Sequence, residues 1–329
     1  MRLLADWQLD AVVVLVWPHE GMTAYRNCLA DLQSFYRVLI SELTRRERVL
    51  CVVPHHGDAE RIAARTGLAP DAFAIGDVGD IWIRDFAPLP GDSGLVQFRY
   101  DPEYGASAHS RVVQHGLAQC LARLLRAGDA RIALLPLVLE GGNVSHDGAG
   151  RVVACDKLLA RNGFAGGSDA LAAVRQAVEV DRLALIPVEP DDPIGHADGV
   201  ARWLPGGQLV VNDYVGQPGR RYATYRRALA AALMSGFGPT EIVPIPYPLP
   251  RLGLDDPMNA TGNYANFLVT RKALYLPAYG LREDEEVRSL LADLAGRPIV
   301  SIDATPLARQ GGVLNCATWC CDASALRAP

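Results

Sequence analysis

The chain of 329 residues is half hydrophobic, 21% charged and carries a formal net charge of −5. That length suits one large core or two ordinary domains, and the composition is that of a globular protein, not a disordered or fibrous one. The acidic balance argues against nucleic acid, which wants a basic face, and is compatible with a small cationic partner.

In chain order, the N-terminus lacks the long apolar core of a signal peptide. The apolar run 11–17 is far too short to span a bilayer. A soluble, cytoplasmic protein without membrane association is therefore expected. Helical periodicity follows at Cys28, Leu32, Phe35/Tyr36, Leu39/Ile40 and Leu43. It returns at Val113–Leu124, Leu171–Val178, Tyr222–Leu233 and Val287–Leu294, with apolar residues three or four apart in each. After each helix comes a short run rich in β-branched residues, at 48–54, 131–137, 183–188, 241–247 and 298–303. A short apolar run closed by a breaker predicts a buried strand.

Behind each such strand stands a pair of extended segments around a turn, at 81–100, 140–155, 196–214, 264–279 and 312–320. Three of the turns contain Pro-Gly-Asp-Ser-Gly, Asp-Gly-Ala-Gly and Pro-Gly-Gly, which is hairpin chemistry. The last pair is incomplete, and the run 12–17 can supply its missing strand. The order recurs five times at roughly 50 to 70 residues, the period of a repeat architecture. One catalytic α/β domain over residues 1–329 is expected, a closed ring of five ββαβ units. An ordinary α/β sandwich with alternating elements is the alternative.

The polar residues that need explaining open these pairs. Asp80-Ile-Trp-Ile-Arg-Asp85 opens the first, Glu140-Gly-Gly-Asn143 the second, Gly195-His-Ala-Asp198 the third and Gly311-Gly-Val-Leu-Asn-Cys316 the last. Asp85 to Glu140 is 55 residues and Glu140 to His196 is 56. Equivalent places around a ring point to one centre. A guanidinium is planar and presents a fork of N–H donors that carboxylates match in pairs. Carboxylates on two sides would hold it flat and bare its central carbon to a thiolate. An imidazole could protonate the departing ammonia and later deprotonate a water. Asp85, Glu140, His196, Asp198 and Cys316 form a sufficient set for that chemistry.

Each has a plainer reading. Cys28, Cys51, Cys120 and Cys155 sit in apolar stretches and read as packing, and Cys320 and Cys321 read as structural. The cysteine count is odd and there is no CxxC pair, so neither a zinc site nor a disulfide framework is expected. Trp82 reads either as core or as a pocket wall. His55, His56 and His146 read as surface loop residues. Asp191 and Asp192 read equally as solvated turn residues and as partners for a distal ammonium.

These segments, together with Trp17-Pro18-His19 and Ala201-Arg202-Trp203, resemble the agmatine deiminase and bacterial peptidylarginine deiminase family. That family belongs to the guanidine-modifying superfamily, built as a five-bladed α/β propeller. The resemblance implies Cys316 as nucleophile, His196 as general acid/base, Glu140 as partner of His196 or substrate, and Asp85 and Asp198 as guanidinium ligands. Substrate contacts are expected from Asp80, Trp82, Arg84, Asn143, Asp192 and Trp17. No metal or organic cofactor is implied. The reaction would be hydrolysis of agmatine through a covalent thiouronium intermediate. Free or peptidyl arginine, another substituted guanidine, amidino transfer, or a non-catalytic binding module are the rivals. Enzymes of this family are often dimers or larger, so a homo-oligomer is compatible with the resemblance. Gly79, Asn315 and Ile194 depart from the family pattern, which usually has Asn, His and an acidic residue there.

Overall fold

The structure, a computed structural model, describes all residues except 104–106, 126–130, 218, 250, 251, 253–255 and 327–329. The fold is mixed α/β, with five separate sheets of one design. Each has an antiparallel pair followed by a parallel strand. The second sheet holds Leu89–Gly91, Gly94–Arg99 and Ile132–Val138. The third holds Ser145–His146, Arg151–Cys155 and Arg182–Ile186. The fourth holds Ala201–Trp203, Leu209–Asn212 and Ile242–Ile245. The fifth holds Leu268–Val269, Leu274–Ala278 and Ile299–Asp303.

The first sheet joins the two ends of the chain. Trp319–Asp322 runs antiparallel to Ala11–Val16, in a register that sets Ala11 opposite Asp322 and Val14 opposite Trp319. Arg48–Val53 then pairs in parallel with Ala11–Val16. The N-terminal strand thus completes the last unit, as the incomplete final pair requires.

Two strands can lie parallel only if a crossover carries the chain back, and that crossover is usually a helix. The periodic segments fill this place. Leu29–Thr44, Ser107–Leu124, Gly167–Val174, Arg220–Phe237 and Glu283–Ala295 each connect the middle strand of a sheet to its parallel partner. In Leu29–Thr44 the buried side chains are Leu32, Phe35, Tyr36, Leu39, Ile40 and Leu43, the three-and-four spacing of one helical face. Every residue of Ala11–Val16 is buried. A strand covered on both faces needs no polar alternation, hence its unbroken apolar sequence.

Four expectations change. The first sheet gains a fourth strand, Phe73–Ile75, behind an additional helix, His56–Thr66. Residues 80–85 do not form an alternating strand, because Ile83–Phe86 is a single helical turn. All residues from Asp80 to Phe86 are buried, so their apolar and polar alternation reflects packing on all sides and not a two-faced strand. His196 and Asp198 likewise lie on a short helical turn, Ala197–Gly199, and not on a strand. His146 is part of the strand Ser145–His146, not of a surface loop. Burial there pushes its imidazole down to about 4.

Candidate active site

The motif residues share one local device. Asp85 lies in the turn Ile83–Phe86, Glu140 precedes the turn Gly141–Asn143, and His196 precedes Ala197–Gly199. The middle turn, Gly141–Asn143, packs on both of the others. A tight turn before a hairpin frees side chains from the strand ladder and lets them face inward together.

Hydrogen bonds stitch the turns into one frame. The Arg84 amide donates to the Cys316 carbonyl at 3.1 Å. The Gly142 amide donates to Asp85 Oδ1 at 3.1 Å. Asn143 Oδ1 accepts from the amides of Cys155, at 2.7 Å, and Ala197, at 3.3 Å. Asn266 donates through Nδ2 to the Asp198 carbonyl at 3.4 Å and accepts the Cys316 amide on Oδ1 at 3.2 Å. Gly142 is required by closeness. A Cβ there would stand 2.5 Å from Asp85 Oδ1 and 2.8 Å from His196 Nδ1.

Inside the frame the reactive groups converge. Cys316 Sγ is 3.6 Å from Asp198 Oδ2, which also accepts the Asn315 amide group at 2.7 Å. His196 Nδ1 is 3.4 Å from Asp85 Oδ1, and its Nε2 is 3.7 Å from Glu140 Oε2. Glu140 Oε2 is also 3.3 Å from Lys157 Nζ. Asp85, Glu140, His196 and Asp198 are buried, while Cys316 is partly exposed.

This crowding separates the ionisation behaviours. Burial raises the Cys316 thiol far above its ordinary range, and the charges of Asp198 and Asp85 raise it further. Burial works against a charged His196, but Asp85 and then Glu140 outweigh it, so the imidazolium persists above the ordinary histidine range. Burial likewise opposes ionisation of Glu140, yet His196 and then Lys157 hold its carboxyl at about 2. The site thus pairs a thiol that resists ionisation with an imidazole that favours its protonated form.

The cluster forms one wall of a cavity of about 440 Å³. Asp85, His196, Asp198 and Cys316 line it beside Trp82. Gly312 leaves room for that indole, since a Cβ there would be 2.7 Å from Trp82 Cζ3. The far side holds Glu189, Asp191, Asp192, Tyr222, Tyr247 and Met258. Asp191 is paired with Arg221. Glu189 is buried and accepts hydrogen bonds from Tyr214, at 2.9 Å, and Tyr247, at 2.8 Å. Burial first, and then the nearby charge of Asp192, push its carboxyl up to about 8.

Of the residues expected to touch substrate, Trp82 and Asp192 line the cavity and four do not. Asp80 serves Tyr25, whose hydroxyl donates to it at 2.6 Å, and His109 at 2.9 Å. Arg84 turns away from the cavity into a buried pair with Asp6 at 2.7 Å and donates to the Asn315 carbonyl at 3.3 Å. Asn143 spends its side-chain oxygen on backbone amides. Trp17 packs edge-on against Tyr36 in the core. Glu140 stands just behind the wall, reached through His196. Sequence reasoning overlooked Lys157, Asn266 and Glu189. Asn266 had a signal, because it opens the fourth pair, where the other units carry their reactive residues. Lys157 and Glu189 had none, since a lysine or glutamate beside a helix or loop reads as a solvated surface charge.

The chain matches the Porphyromonas-type peptidyl-arginine deiminase family over residues 2–321. It is 24% identical to the agmatine deiminase of Stutzerimonas stutzeri over 350 aligned residues, covering 95% of this chain and 93% of that one. It is equally 24% identical to the agmatine deiminase of Pseudomonas aeruginosa strain UCBPP-PA14, covering 96% and 94%. The fold is that of the C. jejuni agmatine deiminase structure, with a TM-score of 0.81 at 19% identity, over 99% of this chain and 97% of that one.

Proposed function

We propose that this chain, which belongs to the Porphyromonas-type peptidyl-arginine deiminase family, is a guanidine deiminase acting on agmatine to give N-carbamoylputrescine and ammonia. The observation that carries the reading is the convergence of Cys316, His196, Asp85 and Asp198 on one cavity wall. The agmatine deiminases it resembles along almost its whole length support the same substrate.

Asp85 and Asp198 would pair with the guanidinium N–H groups from two sides. The substrate's positive charge then lies beside the Cys316 thiol and offsets the carboxylates that keep it neutral, so the thiol releases its proton to solvent as the substrate enters. Thiolate sulfur bonds to the central guanidinium carbon. The C–N bond breaks, His196 gives its proton to the departing nitrogen, and ammonia leaves a thiouronium on Cys316. Neutral His196 then takes a proton from water as the water oxygen bonds to the same carbon. The C–S bond breaks, the leaving sulfur takes up the proton of the adduct's new hydroxyl to regenerate the thiol, and the ureido product departs. Glu140 supports the imidazolium throughout.

The far side of the cavity favours an amine tail over an α-carboxylate. Among its described residues Arg221 is the one lysine or arginine, and Asp191 occupies it. Asp192 is left to face a distal ammonium. In architecture, the five sheets of like order and the pairing of the two chain ends support a five-bladed α/β propeller, pseudo-fivefold and in a single domain. Ammonia release from agmatine, free arginine, peptidyl arginine and propylguanidine tests the reading, with Cys316→Ala as control. Agmatine should be turned over best and the variant should be silent. Preference for free arginine would overturn the substrate, turnover by Cys316→Ala the mechanism, and silence on every guanidine the enzyme reading.

A further inference from the structure

Lys157 opens the short helix Lys157–Asn162, directly after the strand Arg151–Cys155. A lysine at that place would ordinarily extend into water. This one does not, for its side chain is only 11% exposed. An ammonium withdrawn from water is costly unless it is partnered. Nζ has two partners from two different motifs. It lies 3.3 Å from Glu140 Oε2 and donates to the Ile194 carbonyl at 2.7 Å. Glu140 is the carboxylate beside His196 Nε2. Ile194 lines the cavity two residues ahead of His196. Between them stands Gly195, at φ +67°, where a Cβ would be 3.5 Å from Lys157 Cδ. The aliphatic stem of Lys157 therefore runs beneath the backbone that carries the imidazole, and its head holds the imidazole's carboxylate.

We infer that Lys157 is a positioning residue of the acid–base pair, fixing Glu140 and the 194–196 backbone in one frame and so setting the Glu140–His196 geometry. The inference rests on the deiminase reading for its chemistry. Without Lys157, Glu140 would keep His196 as its one ionic partner among the described residues, and the Ile194 carbonyl would lose the Lys157 donor. The ammonium also acts through its charge. Asp85 and Glu140 favour the imidazolium and Lys157 opposes it, while Asp198 and Cys316 are further ionisable groups on the same cavity wall. A base must release its proton to the leaving nitrogen as well as hold it, and its pKa should stay near the working pH. Besides burial, Lys157 limits how tightly His196 holds that proton.

The test compares full-length wild type with Lys157→Met, Lys157→Gln and Lys157→Arg. Gln keeps a donor for the Ile194 carbonyl without the charge, which guards against simple misfolding. The two uncharged variants should lose about tenfold in kcat, part of the roughly 10²–10⁴ that general acid–base catalysis contributes, with KM within about twofold. The His196 imidazole titration, followed by NMR without substrate, should move to higher pH in both. Lys157→Arg should restore kcat and titration together. An unmoved titration in both uncharged variants, or a kcat loss that Arg does not restore, would overturn the inference. A wild type silent on every guanidine would defeat the functional reading instead, while the titration would still decide the role of Lys157.

Discussion

Cys316 Sγ and Asp198 Oδ2 lie 3.6 Å apart, which places a nucleophile against a carboxylate that disfavours its reactive form. Burial, Asp198 and Asp85 all raise the thiol. The arrangement makes sense if the charge that ionises the thiol arrives with the substrate. Reaction with stray electrophiles is then suppressed in the empty site. Alkylation of Cys316 by iodoacetamide, measured against a Cys316→Ala background, should be slow at neutral pH and still climbing at pH 9. Asp198→Asn should speed it at neutral pH. A rate that levels off below pH 8 would refute this account.

Glu189 makes stability depend on pH in an unusual direction. Its folded-state carboxyl lies at about 8, well above an ordinary carboxyl. The folded protein therefore holds a proton that the unfolded chain gives up near the ordinary value. The contribution is fully present below the unfolded pKa and is lost as pH rises through about 8. Glu189→Gln keeps hydrogen bonding with Tyr214 and Tyr247 and removes the titration. Relative to wild type, its Tm should rise progressively between pH 5 and pH 9. Equal pH slopes for the two proteins would contradict the assignment. Measured above pH 8, where Glu189 is ionised, the same variant should raise KM for agmatine more than for propylguanidine.

Arg84 and Asp6 form a buried ion pair, with side chains 8% and 9% exposed. It links the N-terminal segment to the turn beside Cys316, because Arg84 also donates to the Asn315 carbonyl. Removing one partner strands the other charge. Arg84→Met should cost roughly 3–5 kcal/mol in urea unfolding. The double variant Arg84→Met/Asp6→Leu should recover much of that loss. A double variant as unstable as the sum of the two singles would show that the pair does not act as a unit.

Gly312 marks a close approach on the cavity wall. A methyl group there would press on Trp82. Gly312→Ala should displace the indole beside Cys316 and lower kcat/KM by about tenfold or more. Stability should change by no more than about 1–3 kcal/mol, as for overpacking. Unchanged kinetics would mean that the Trp82 ring does not shape the site.

Much of the molecule was written in local pattern. Four of the five amphipathic helices fall where the spacing of apolar residues puts them, the third ends at Val174 and leaves Val178 outside it, and the parallel strands follow each one. These features depend on period and on breakers, which neighbouring residues fix. The segment 80–85 was misread because residues buried on every side have no polar face to reveal their period. The extra helix His56–Thr66 was missed for a related reason, since among its residues only Ile62 is buried. Cys316, His196, Asp85, Glu140 and Asp198 stood out because polar groups closing apolar strands recur at even spacing.

The sequence by itself determined the order of elements, the helix faces and the identity of the reactive groups, because each is a property of residues close together in the chain. Only the tertiary structure decided how those groups are used. Asp80, Arg84, Asn143 and Trp17 stand beside the motif residues in sequence, yet Tyr25 and His109, Asp6, backbone amides and Tyr36 claim them away from the cavity. Lys157 and Glu189 look like surface charges in sequence, yet burial and partners from distant segments place one behind His196 and the other on the cavity wall. Burial and distance set the charge state of a group, and both depend on contacts between residues far apart in the chain.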